Sequence, residues 1–453
     1  MLVNFRFENF LSIDNMITFS MVPGKTRMHS KSLIAIDKKR NLLKISAIYG
    51  ANAAGKSSFV KAMSFSQYLI LKGFEDRNIF LGSFNKNNEI NKDKETKFDF
   101  EIVIDGKVYS YGFSVLLARR IFTQEWLYDI TQDEKLIYTI DKNNQVYNVN
   151  FSYLNLEEEM EKRLDIYADD NLHDNNQLFL SSLQDGKKTI VSKSNDSILK
   201  KIFEWFYYTL EVLEPGDEAK GSIPSISFKG EEYKVDLGKY LELNDTGVID
   251  IVQIPIDSMS GVPAKLQERM MESMIERSRD KKVDEINSIL KTKTHIYILK
   301  YQEDLKIFEL KFKHKNGSLY SLYEESDGTV RLVELFSVLF NRRNKVFIID
   351  EIDRSLHPLL TYNFIESFIS KKDSSQLVVT THEDLLLDFS LLRRDEIWFI
   401  DKDIDGNSSL YSLEEFKERF DKNISNAYLD GRYGGVPKLR NLFTNLINDS
   451  QEV

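Results

Sequence analysis

The chain has 453 residues, a formal net charge of −10, 42% hydrophobic and 29% charged residues, and no cysteine. That is ordinary globular composition, long enough to bury a large core in two or three lobes. The missing cysteines exclude disulfides and thiolate-bound zinc and fit a reducing cytoplasm, while the acidic balance argues against a protein that coats nucleic acid non-specifically. No apolar run approaches a membrane span, and the start, MLVNFRFENFLSIDN, lacks the basic and long apolar regions of a signal peptide. The six histidines show no metal-ligand spacing.

In chain order, Val3, Phe5 and Phe7 alternate as on one face of a strand. A mostly apolar run, Leu42 to Tyr49, precedes Gly50-Ala51-Asn52-Ala53-Ala54-Gly55-Lys56-Ser57. A helical repeat follows, with Phe59, Met63 and Ile70 on one face. Strand, GxxxxGKS and helix together make a phosphate-binding loop, the Walker A motif. Backbone N–H groups around Gly50, Asn52 and Gly55 would close on phosphate, with Ser58 beside them and the helix dipole behind. Lys56 would reach the β- and γ-phosphates of ATP, and Ser57 would ligate Mg²⁺. Phe98 to Ile104 and Val108 to Val115 read as a hairpin about Asp105-Gly106.

From about Asn148 to Leu290 the pattern turns helical, at Leu154 to Tyr167, Ile198 to Leu213 and Ala264 to Leu290. We read 148–290 as an inserted, mostly helical lobe, flanked by 1–147 and 291–410 as the halves of one α/β domain. Residues 411–453 form a tail with an acidic stretch of Glu414, Glu415, Glu418 and Asp421, whose natural reading is a solvated face. Strand patterns return at His295 to Lys300 and Lys306 to Lys313, with a hairpin turn at Asn316-Gly317. Lys345 to Asp350 and Leu377 to Thr381 are unalternated, as in a sheet covered on both faces. Val346-Phe347-Ile348-Ile349-Asp350-Glu351 has the Walker B form: Asp350 for Mg²⁺, Glu351 to orient an attacking water.

These motifs resemble the SMC/RecF/OLD branch of ABC-type ATPases, beginning with Phe5-Arg6-Phe7-Glu8-Asn9-Phe10. Ser326-Asp327-Gly328-Thr329 resembles a degenerate ABC signature, Asp353 to Pro358 a D-loop, and Thr380-Thr381-His382 a switch-histidine segment. The resemblance implies an ABC/SMC-type P-loop ATPase head, with ATP sandwiched between one copy's P-loop and another's Ser326 to Thr329, and with His382 sensing the γ-phosphate. Plainer readings stand beside these: a capped helix start for Ser326 to Gly328, and strand-end or loop histidines for His382 and His357. For the Q-loop ligand, Gln124 is the candidate and Gln67 the alternative.

Three further elements resemble the bacterial OLD-like AAA-family ATPases. They are Tyr109-Ser110-Tyr111-Gly112-Phe113 with Glu125-Trp126-Leu127-Tyr128, Glu325 to Thr329, and Gly431-Arg432-Tyr433-Gly434-Gly435-Val436-Pro437. RloA-type proteins and the ATPase subunit of PARIS-type systems look similar. This likeness implies a homo-oligomeric ATPase of antiphage abortive infection. It would act with a separate effector, such as a Toprim nuclease, and respond to DNA or a phage protein. A RecF-like DNA-clamping ATPase is the alternative. A GTPase is disfavoured, because Asn91-Lys92-Asp93-Lys94 lies in a polar loop rather than at a strand end.

Overall fold

The computed structural model describes all residues other than 27–28, 30–31, 75–81, 185–196, 216–230, 282–285, 293, 302–303, 342–343, 417–423 and 437–453. The chain divides into two units. The first comprises Met1–Pro215, Arg343–Ile352 and Lys372–Val453, the second Gly216–Arg342 and Asp353–Lys371.

Three unalternated strands form the centre of the first unit. Ile45–Tyr49, Val346–Ile349 and Gln376–Thr381 are buried along their whole length, which requires cover on both faces of their sheet. Among the described residues this sheet has six strands, ordered Leu210–Leu213, Val346–Ile349, Gln376–Thr381, Ile45–Tyr49, Ile397–Lys402 and Ser408–Ser412. All neighbours are parallel save the last pair. Gly50 and Asp350 therefore leave the sheet at one edge, where ligands of open parallel sheets bind.

An antiparallel sheet, of seven strands among the described residues, supplies the second layer, with Leu2–Glu8 next to Thr96–Ile104 and Ile17–Ser20. Its alternation is plain. Phe5 and Phe7 are buried, while Arg6 on the opposite face pairs with Asp99 at 2.6 Å and with Glu101. Helix Lys56–Lys72 buries Phe59, Val60, Met63 and Ile70. These share one core with Phe5 and Phe98 of the antiparallel sheet and Ile48 and Ile348 of the parallel one. Each fully buried aromatic there contributes roughly 1.5–3 kcal/mol. Gln376 ties the two layers: its amide accepts from Leu2 N at 2.6 Å and donates to Leu2 O at 3.0 Å.

The Tyr109–Phe113 and Glu125–Tyr128 elements explain each other. They are cross-strand neighbours, with Gly112 opposite Trp126, and a side chain at Gly112 would run into the Trp126 ring and the Phe98 carbonyl. Glu125 is buried and accepts from Tyr111 (3.0 Å), Tyr138 (2.7 Å) and the backbone of Phe179 (2.5 Å) and Leu180 (3.1 Å). Burial raises its pKa, against those hydrogen bonds. These residues hold the sheet together.

The second unit is built on antiparallel strands Val248–Ile256, Leu305–His314, Ile296–Tyr301 and Ile286–Lys291. Period-two alternation gives it two cores. Ile296 and Ile298 join Leu332 and Phe336 of helix Asp327–Phe340, and Tyr297 and Leu299 join Met259 and Met274.

The expected boundaries need correction. The 148–290 segment is not one helical lobe: its part up to Pro215 belongs to the first unit, and the rest begins a unit with a sheet at its centre. Ile198 to Leu213 is a helix only over Ile198–Glu204. It widens into a π turn at Trp205–Thr209 and ends as the edge strand Leu210–Leu213. Glu211 on that strand pairs with Lys345 beside the Walker B strand. Likewise the helix from Ala264 stops at Lys281, and Ile286–Lys291 is a strand. Short apolar runs fit both periods, and pairing partners decide. Residues 291–342 go with the second unit rather than with Walker B.

Residues 411–453 are not simply a tail. Tyr411 and Ser412 end a sheet strand, Ile424–Leu429 is helical, and Tyr433 is buried. Glu414 and Glu415 sit in a 3₁₀ turn, Leu413–Glu415. Glu418, Asp421 and Pro437 lie outside the described residues.

Candidate nucleotide site at the edge of the parallel sheet

The strand Ile45–Tyr49 delivers the chain into the loop 50–55, and Lys56 opens a 17-residue helix. Gly55 has φ of 120°, and a side chain there would meet Ser408 Oγ at 2.5 Å and Ser12 Oγ at 3.0 Å. The three hydroxyls of this corner form a chain: Ser12 donates to Ser58 at 2.9 Å, and Ser408 contacts Ser12 at 2.8 Å and the Ala54 carbonyl at 2.6 Å. Asn52 stands exposed at the loop tip, and Ser57 is half-buried. Lys56 is buried, its Nζ 2.8 Å from Gly50 O and 3.2 Å from Ala51 O.

The helix N-cap, Gly55, makes no side-chain capping bond. The first-turn N–H groups are thus left to an anion, which the dipole also favours. This cradle fits the phosphates of a nucleotide.

Two strands away in the same sheet, Asp350 is almost fully buried and accepts from Thr380 Oγ1 at 2.5 Å. Thr380 also accepts from Glu351 N at 2.9 Å, and its carbonyl accepts from Ile352 N at 3.1 Å. Glu351 has φ of 49°, a left-handed turn that breaks the strand direction directly after Asp350. His382 is exposed, one residue past Gln376–Thr381. Among the described residues no cluster of three His, Cys, Asp or Glu could hold a metal alone. Ser57 and Asp350 as hard oxygen donors suit Mg²⁺, which takes few protein ligands and completes its shell with phosphate and water.

In the second unit, Ser326 caps helix Asp327–Phe340: its Oγ accepts from Thr329 N at 3.1 Å and lies 2.9 Å from Thr329 Oγ1. Ser326 and Asp327 are exposed. Gly328 packs close to the D-loop, where a Cβ would sit 3.0 Å from Ser355 O. Glu325, just before the cap, is held by His314 at 2.7 Å. His357 caps the next helix, Pro358–Ser370, through Leu359 N.

Gln124, the Q-loop candidate, sits in the antiparallel sheet. It lies within strand Ile121–Asp129, donates to Asp141 at 3.3 Å, and lines a groove of about 470 Å³ with Ser110, Trp126 and Thr139. None of these is a P-loop or Walker B residue. Gln67, the alternative, is buried and donates to Phe206 O and Leu210 O. Asn91 is likewise structural, bonded to Asp14 and Asn85. Thr380, Ser12 and Ser408 were not singled out from the sequence for the contacts they make. Their partners are 29 to 396 positions away, and no local spacing reveals them.

A parallel sheet carrying a P-loop and an acidic strand end at one edge, layered on an antiparallel sheet, defines an ABC/SMC-type P-loop ATPase head. The chain matches the family described as "AAA domain, putative AbiEii toxin, Type IV TA system" over residues 45–153 and 269–388. That is just over half its length, and the chain belongs to this family. Membership implies nucleotide use, typically with Mg²⁺. No curated protein matches the chain. Among solved structures, an SmcHead bound to the C-winged helix domain of ScpA is similar at 14% identity, covering 92% of this chain and 99% of that one, with a TM-score of 0.41. The SMC head domain from Thermotoga maritima follows at 10% identity, 91% and 98% coverage, and a TM-score of 0.37. A Pyrococcus yayanosii Smc head with a coiled coil and joint gives 12%, 95% and 99%, and 0.39. No helix among the described residues is long and apolar enough to cross a membrane.

Proposed function

We propose that the chain binds and hydrolyses ATP at sites composed between copies of itself, as the sensor or scaffold subunit of an antiphage, abortive-infection system with a separate effector. The observation that carries the ATPase reading is the shared edge of one parallel sheet, where Lys56 and Ser57 end one strand's loop and Asp350 and Glu351 end another. Lys56 binds the β- and γ-phosphates, with the first-turn N–H groups and Ser58 around them. Ser57 and Asp350 hold Mg²⁺, which neutralises phosphate charge when bound. Glu351 orients the attacking water and takes its proton, and His382 stands past the neighbouring strand as the γ-phosphate sensor. Ser326 to Thr329 supply a second helix N-terminus for the nucleotide of a partner copy.

The defence role draws support from the family's description, which names a toxin of a toxin–antitoxin system. The test is the mass of Glu351→Gln by light scattering, with and without ATP and Mg²⁺. Growth to a dimer or larger assembly only with ATP is expected. A monomer under both conditions defeats the composite site. Salt-sensitive, ATP-dependent binding to duplex DNA ends would instead favour a RecF-like clamp.

A further inference from the structure

The glycine-rich element Gly431 to Gly435 has no part in the reading above, yet it lies against the P-loop. Helix Ile424–Leu429 leads into it, and Gly431, Gly434 and Gly435 all have positive φ, at 77°, 68° and 67°. A Cβ on Gly435 would sit 3.4 Å from Gly50 Cα and 3.4 Å from Ile400 O. Gly50 is far tighter on its other side: its own Cβ would lie 2.6 Å from Ile400 O and 2.7 Å from Ile400 Cγ2, where no side chain fits. The first residue of the phosphate loop is thus lodged between the end of strand Ile397–Lys402 and the glycine turn, backbone against backbone.

Aromatic rings keep the turn there. Tyr433 stacks on Phe399 at 5.3 Å, and Tyr428 packs on Phe399 at 5.5 Å and on Tyr49, the residue before Gly50, at 5.8 Å. Two phenols then fix the backbone: Tyr428 donates to Gly435 O at 3.0 Å and Tyr411 to Tyr433 O at 2.6 Å. Burial, followed by the nearby Asp401 charge, pushes the Tyr428 phenol up to about 12 and that of Tyr411 higher. Both remain donors across the physiological range. A side chain on Gly434 would crowd the Tyr411 hydroxyl and meet Asp401 Oδ2 at 2.9 Å.

We propose that the Gly431–Gly435 turn is part of the nucleotide site, a brace that sets the position of Gly50 and hence of the phosphate loop, with Gly435 and Tyr428 as positioning residues. It rests on the P-loop reading. The carbonyls of Gly50 and Ala51 hold Lys56 Nζ, so a displaced Gly50 displaces the lysine that meets the phosphates. The effect falls on nucleotide affinity, because Asp350 and Glu351 lie on a different strand and keep their own anchor, Thr380.

The experiment uses the full chain with a fluorescent ATP analogue and Mg²⁺ for affinity, and steady-state ATP hydrolysis for the split between KM and kcat. Gly435→Ala places an L-residue in a left-handed turn and is expected to weaken binding by about tenfold. Tyr428→Phe keeps the ring stack, removes one hydrogen bond, folds normally, and is expected to weaken it by about threefold. In both, kcat at saturating ATP stays within about twofold of wild type while KM rises, which a general loss of folded protein would not produce. Lys56→Ala is the reference. If it loses binding while Gly435→Ala and Tyr428→Phe bind as wild type, or lose kcat with KM unchanged, the brace is refuted. If Lys56→Ala itself binds normally, the P-loop reading fails and the brace with it.

Discussion

The loop that opens helix Lys56–Lys72 and the turn that opens helix Asp327–Phe340 each start a helix, but they are held in different ways. The second is assembled locally: Ser326 caps through Thr329, three residues on, and Glu325 is held by His314, eleven back. The first draws on Ser12, Ser408 and the glycine turn, from both ends of the chain. A locally capped helix keeps its shape on short-range terms worth about 1 kcal/mol. A loop fixed by distant partners has a conformation that depends on the whole unit. The phosphate loop is therefore rigid only where the first unit is complete.

Substitutions can break or sharpen this contrast. The largest effect belongs to Lys56→Ala, expected to weaken ATP binding by about 100-fold through the loss of charge-assisted bonds to phosphate; equilibrium titration reads it directly. Next comes Gly328→Asp, which puts a charge and a Cβ against the Ser355 carbonyl. It should leave ATP binding by an isolated subunit unchanged and lower ATP-dependent assembly and hydrolysis by roughly tenfold or more; wild-type turnover would remove Ser326 to Thr329 from the site. A paired test separates local from distant support. Ser408→Ala strips a donor from Ala54 O and should raise KM for ATP by about 2- to 5-fold. Ser326→Ala should cost about 1 kcal/mol of stability with the ATP affinity of an isolated subunit unaltered. Equal effects of the two on KM would erase the distinction.

The last effect is one of pH, and it falls on stability rather than on nucleotide binding. Glu396 is buried just before strand Ile397–Lys402, with its pKa raised to about 8, first by desolvation and then by the Asp395 charge. A carboxyl whose folded pKa is raised binds more protons folded than unfolded. Stability should therefore fall as pH rises from about 4.5 to about 8 and be flat in this term below. Glu396→Gln should flatten the slope of unfolding midpoint against pH between 5 and 8; an unchanged slope would put the titration elsewhere.

The motifs that were legible share one property: their signal lies within a few residues. GxxxxGKS, the apolar run into Asp350-Glu351 and the Asp105-Gly106 turn all declare themselves through local chemistry, and the structure has each one in its expected setting. What was not legible depends on partners far along the chain. Leu210–Leu213 looks like the end of a helix until Val346–Ile349 is there to pair with it. Gln67 looks like helix surface until the π turn brings Phe206 O to it. Gln124 follows a strand-like stretch as a Q-loop residue would, but its amide is spent on Asp141. Glycines 434 and 435 read as punctuation, and only the fold shows that Gly435 leans on Gly50 and Gly434 on Tyr411 and Asp401.

The Walker B strand has an unusual place in the chain's itinerary. Arg343–Ile352 is a short visit to the first unit, with the second unit's polypeptide on both sides of it. Asp353, three residues past Asp350, already belongs to the other unit. Tension applied to either flanking helix, Asp327–Phe340 or Pro358–Ser370, would reach Asp350 along the chain itself. A nick in either flank would leave the strand seated between its hydrogen-bonded neighbours, Leu210–Leu213 and Gln376–Thr381, but would cut that line.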